Sequence, residues 1–145
     1  MKNNKSLLAM LAAFVVMMLI GWLTYGMLLK DFYHDNAGLT GDLYTQVFKA
    51  DDQMNWGFGI VSNLAASLML TTILVWGGFT TTASGAKAAA IIGFLLAMSV
   101  DFGFMSFTNL FTLKGSIVDV LANTIMCSIT GAVVGMVLGK GNSSS

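Results

Sequence analysis

Four long apolar runs divide the chain, at 7–29, 54–76, 88–110 and 117–138, and they are 23, 23, 23 and 22 residues long. A bilayer core takes about 20 helical residues. Lipid tolerates only helices or closed barrels, because every backbone polar group must be satisfied internally. Barrel strands would alternate apolar and polar positions over about ten residues. Stretches such as LLAMLAAFVVMMLIGWL and AAAIIGFLLAM are apolar all round. The pattern therefore predicts an all-α fold: a single-domain transmembrane bundle of four helices in two hairpins.

The connection at 30–53 is the only long one. Within it Leu43, Tyr44, Val47 and Phe48 recur at helical spacing, with Asp42, Gln46 and Lys49 elsewhere around the wheel. This predicts a short amphipathic helix at about 40–49 on the outer interface, started by Thr40 as its cap. Such a helix serves as a surface connector or as a lid. The first run follows Lys2 and Lys5, as a leader would. Its apolar stretch exceeds the 7–15 residues of a leader, and Thr24 and Gly26 make a poor cleavage site, so it is expected to remain as a span. The GNSSS tail is polar and carries no assigned role.

Composition narrows the function classes. Of 145 residues, 56% are hydrophobic and 10% charged, with a mean hydropathy of +0.78. Soluble domains carry about 25% charged residues. Net charge is zero and Arg is absent, which argues against nucleic acid and bidentate phosphate recognition. Glu and Pro are absent too. The single cysteine, Cys127, excludes an intrachain disulfide. No motif for zinc, thiol exchange, phosphate cradling or a nucleophilic serine is present. No enzyme and no cofactor are expected.

Twelve of the fourteen charges lie in the tails and connections. The exceptions are Asp101 and Asp119. Four spans put both termini on one side, with Lys2, Lys5, Lys87 and Lys140 and no acid outside the membrane. The other side holds three lysines and five aspartates. The lysine bias places the termini in the cytoplasm. Trp56, Trp76 and Tyr33 fall at span ends, as interfacial anchors do.

A stripe at every fourth residue organises the second hairpin. Gly85, Ala89, Gly93, Ala97 and Asp101 form one row, and Asp119, Asn123, Cys127, Gly131, Gly135 and Gly139 the other. Both are small at the cytoplasmic end and polar at the outer end. Small residues let helix backbones approach closely in lipid, where no hydrophobic drive exists between helices. Antiparallel pairing about the expected short connection makes facing residue numbers sum to about 224, which sets Asp101 against Asn123. The Gly131–Gly135–Gly139 face is a candidate interface for a homo-oligomer or a membrane protein partner. Cys127 reads as one more small packing residue.

A carboxylate within a span is costly and usually faces a protein interior or a water-filled cavity. Asp101 lies roughly 10–14 Å below the outer boundary, at about 1.5 Å per residue. Asn123 and Asn63 fall at similar depth, with Asp119 and Tyr25 shallower and Trp22, Thr24 and Ser62 nearby. These residues outline an outward-facing polar pocket. Asp101 would be its main acid and Asp119 its rim acid, with Asn123, Asn63 and Tyr25 as the other ligand-binding residues. The alternative is a buried acid bonding Asn123 between helices. Outside the membrane, Asp31, His34 and Asp35 share a helical face, but one histidine with two exposed acids is a weak metal signal, and no metal is expected.

IVSNLAASLM, from Ile60, matches IVDVLANTIM, from Ile117, at five of ten positions, which raises an internal duplication. The chain as a whole, with GWLTYGMLLKDFY, WGFGIVSNLAASLML, SGAKAAAIIGFLLAMSVDFGFMSFTNL and VDVLANTIMCSITGAVVGMVLGKG, resembles small four-span bacterial membrane proteins of the domain-of-unknown-function type. The resemblance implies a bacterial inner membrane and transfers no functional residue. The expected function is binding or transport of a small polar or cationic solute. A non-catalytic structural subunit of a larger membrane complex is the competing expectation.

Overall fold

The computed structural model describes residues 4–140; Lys2 and the GNSSS tail lie outside them. The elements are α1 (Asn4–Leu23), continued by a π-helical turn (Thr24–Leu28), then α2 (Lys30–Asp35) and α3 (Asp42–Val47). A 3-10 turn (Asp51–Gln53), α4 (Trp56–Trp76), α5 (Thr82–Phe107) and α6 (Leu113–Gly139) follow. No strand occurs among the described residues; one isolated bridge pairs Ala37 with Phe111. Four helices of 21–27 residues are long and apolar enough to cross a membrane. Their flanks are apolar and open, as at Phe58, Trp76 and Phe107. This is a multi-pass integral membrane protein. The acidic end carries the 24–55 and 108–112 segments. The terminal end carries the start of α1 and the close of α6.

α6 is the central helix, packed on α5 along one face and on α1 along another, with α4 against α1. The core sits at the terminal end. It joins Ala9, Ala13 and Met17 of α1 with Leu70 and Leu74 of α4, Ala89 of α5, and Val134, Val137 and Leu138 of α6. Small residues on α1 do for that pair what glycines do for α5 and α6: they bring backbones close enough for dispersion contact. α4 leaves the bundle at its acidic half, where 56–62 is exposed on every side.

The small-residue stripe lies at the α5–α6 contact. The buried residues of α5 are Gly85, Ala89, Gly93, Ala97 and Asp101. A Cβ added at Gly85 would strike the Gly131 carbonyl, and one at Gly131 would strike Ala89. Gly135 and Gly139 lie against the Thr81 and Thr80 carbonyls. These glycines are consumed within the chain, which corrects the expectation that the Gly131–Gly135–Gly139 face is free for an oligomer.

The register differs from expectation by one helical turn. Gly93 meets Cys127 and Gly131 meets Ala89, so facing numbers sum to 220, not 224. The cause is capping. Hydropathy carries α5 to 110 and delays α6 to 117, but Thr108 ends α5. Thr112 then starts α6 by accepting from the Gly115 N–H at 3.1 Å. A shorter, earlier connection moves the pairing by four residues. Asp101 therefore faces Asp119, not Asn123.

The two connections at the acidic end are stitched together. Gly38 N donates to the Leu110 carbonyl at 3.1 Å, and Thr112 Oγ1 donates to the Asn36 carbonyl at 2.7 Å. A side chain at Gly38 would strike the Asn109 carbonyl, so only glycine fits this approach. The amphipathic helix is shorter than expected, and Gly41 at φ 60° precedes it without a side-chain cap, so Thr40 is not its cap. The two segments of the suggested duplication occupy unlike settings: one starts on the open half of α4, the other on central α6.

Candidate functional site

Asp119 is the hub of the acidic end. Its Oδ1 accepts from Tyr25 Oη at 2.8 Å and from Tyr33 Oη at 3.0 Å. Its Oδ2 accepts from Asn123 Nδ2 at 2.7 Å, and the same amide group reaches Tyr25 Oη at 2.8 Å. Asp119 and Asn123 are four apart on α6, so helical geometry alone places them on one face. The tyrosines come from α1's extension. The π-helical turn closes with Leu29 N donating to the Thr24 carbonyl at 2.8 Å. This wider turn carries Tyr25, and α2 carries Tyr33 beside it, the rings stacked at 5.6 Å. π-helical turns recur at functional sites because they re-aim side chains from a regular helix.

Asp101 lies beneath the hub. Only 6% of it is exposed, and its carboxyl is within interaction range of Asp119. Asp101 Oδ2 is buried with no hydrogen-bond partner among the described residues. No lysine joins the two acids. Lys30 pairs with Asp51, and Lys114 sits 5.3 Å over the Phe32 ring. Outside the spans, burial and then the negative charge of Asp119 hold the Tyr33 phenol well above its ordinary range. Tyr33 therefore stays a neutral donor through the physiological range.

Above Asp119 opens a partly enclosed cavity of about 250 Å³. Tyr25 and Tyr33 form one wall, Tyr44 of α3 and Phe48 just after it a second, and Phe111 with Leu110 a third. Asn36, Ala37, Thr112 and Gly115, the stitched connection, complete it. Tyr44 and Phe48 are the half-buried residues of the 41–50 segment, while Leu43 and Val47 point away. Of the two readings of α3, this placement favours a lid.

The expected site residues divide accordingly. Tyr25 and Asp119 line the cavity, and Asn123 bonds to both. Asp101 lies behind Asp119 and does not line it. Asn63 is on α4 and does not line the cavity; its Oδ1 is buried without a partner. Trp22 and Ser62 are exposed. Sequence reasoning treated Tyr33 as a membrane anchor and missed Phe111 and Asn36. The available signal was the spacing of Tyr25 and Tyr33, eight apart on a continued helix. His34 meets only Asp35, at 3.3 Å, and the Tyr44 ring; no group of residues suited to a metal occurs among the described residues.

No family model, curated protein or solved structure matches this chain. The site is therefore read on its own chemistry.

Proposed function

We propose that this protein is a membrane component that binds or transports a small polar or cationic solute through the cavity above Asp119. The observation that carries the reading is a half-open cavity ending on a carboxylate that three side chains hold in place. A carboxylate kept within the membrane boundary costs desolvation, and such residues commonly serve a pathway or ligand. The pre-set donors around Asp119 keep it fixed at the floor. In this reading the site is non-catalytic, the acidic end faces outward, and the termini face the cytoplasm of a bacterial inner membrane. A bundle of this size would work as a homo-oligomer or with a membrane protein partner.

The competing structural role has one observation in its favour. The acidic half of α4, from Trp56 to Ser62, touches little of its own bundle and could pack on a partner. A thermal-shift panel of small cations, anions and neutral polar solutes on the purified protein separates the two. A binding component is stabilised by at least one solute, and Asp119→Asn removes the shift. A solute present at 100 times its Kd adds about 2.7 kcal/mol of stability. A panel with no shift at all favours the structural role.

A further inference from the structure

We infer that the cavity takes a small alkylated ammonium ion, a compact organic monocation, with its charge against Asp119 and its alkyl groups against the aromatic walls. The inference rests on the binding reading above and names its ligand class. Three observations carry it.

The first is charge. Asp119 and Asp101 form an acidic pair at one level of the bundle, and no basic side chain lines the cavity. Two of the three lysines at this end are engaged elsewhere, Lys30 with Asp51 and Lys114 over Phe32. A cation from outside is the missing partner. The acidic end of the bundle adds five aspartates against three lysines, a field that draws cations towards it.

The second is the wall chemistry. Five aromatic residues line the cavity along with the acid: Tyr25, Tyr33, Tyr44, Phe48 and Phe111. Ring faces attract cations electrostatically, most strongly when water is excluded, and such cages recognise alkylated ammonium groups. An inorganic cation would need a shell of oxygen ligands. Here Asp119 is the only carboxylate in a lining made mainly of rings and apolar groups.

The third is size. A cavity of about 250 Å³ falls below the roughly 300–1,000 Å³ of drug-sized ligand sites, which limits the guest to a compact ion. A free solute and a lipid headgroup can both present this chemistry.

The test is calorimetric titration of the full chain, in maltoside micelles free of choline lipids, with choline and with 3,3-dimethylbutan-1-ol, which has the same shape without the charge. Choline is expected to bind, and the neutral alcohol to bind at least about thirty-fold more weakly, the ratio set by one desolvated cation–π contact. Asp119→Asn should abolish choline binding. Phe48→Leu, on the solvent-facing lid, should weaken it several-fold at unchanged thermal stability, which guards against a variant that merely misfolds. Competition from phosphatidylcholine nanodiscs, but not phosphatidylglycerol ones, would assign the group to a headgroup; no competition would assign it to a free solute. Equal binding of alcohol and choline, or Asp119-dependent binding of a neutral or anionic solute alone, would overturn the ligand class and leave the binding site standing. If no solute of any charge binds, the binding reading fails with it.

Discussion

The two ends of the α5–α6 pair share one helical stripe and use it in opposite ways. At the terminal end Gly85, Ala89, Gly131 and Gly135 remove side chains so that backbones touch. At the acidic end the same rows continue as Asp101, Asp119 and Asn123, and the gap between helices fills with polar groups. Close packing confines the pair to registers that set small residues against small ones. The Thr108 and Thr112 caps choose among them, and that choice decides which polar groups meet several turns away. Packing and capping together set the geometry of the end that carries the chemistry.

Gly131→Ala should break this comparison most severely. Its Cβ would press on Ala89 and on the Gly85 backbone, neither of which can yield cheaply. The expected loss is about 2–3 kcal/mol in a denaturant titration in mixed micelles. Gly103→Ala, also in a membrane helix but with nothing nearby, should be neutral or stabilise by up to about 1 kcal/mol. Equal effects at the two sites would remove the distinction between packed and open glycines.

Asp119→Ala strikes the other end. It leaves the Tyr25 and Tyr33 hydroxyls and the Asn123 amide without their shared acceptor. Unsatisfied partly buried donors cost about 1–3 kcal/mol in all. A smaller loss than that of Gly131→Ala is expected, because this end is half-open to water.

Tyr33→Phe removes one donor and should cost about 1 kcal/mol. It also carries a pH signature. Burial and Asp119 raise the Tyr33 pKa in the folded protein. The unfolded phenol ionises near pH 10, so above that the folded state binds the extra proton and stability falls as pH rises. Below pH 10 the contribution is complete. Ultraviolet titration should find Tyr33 among the tyrosines that resist ionisation past pH 11, and Tyr33→Phe should lower their number by one.

The smallest effect belongs to Lys30 and Asp51. Their hydrogen bond and charge raise the Lys30 pKa, so the pairing is complete below the lysine's unfolded value and is lost as pH rises through the folded one. Both groups are solvent-exposed, and exposed pairs contribute little. Asp51→Asn should leave the thermal midpoint unchanged at neutral pH.

Much of this architecture was legible in the residues themselves. Apolar runs of membrane length fixed four helices, and the four-residue period of Gly85–Ala89–Gly93–Ala97 named the buried face of α5 outright. Register was not legible from hydropathy, because lipid-compatible residues such as Leu110 continue past the true helix end, whereas Thr108 and Thr112 punctuate it. Hydropathy weighs side chains, and caps act through backbone donors. The site was half legible. Asp119, Asn123 and Tyr25 stand out as polar groups in apolar surroundings. Tyr33, Tyr44, Phe48 and Phe111 read equally well as interfacial aromatics, and only the stitching of Gly38 to Leu110 gathers them around one cavity. Asn63 was misplaced because depth along a helix says nothing of whether that helix, here α4, stays with the bundle.

The facing of the two acids is best tested by disulfide trapping in a Cys127→Ser background. Asp101→Cys combined with Asp119→Cys should cross-link under mild oxidation, and Asp101→Cys combined with Asn123→Cys should not. Efficient cross-linking of the second pair and none of the first would contradict the register, and with it the acidic pair beneath the cavity.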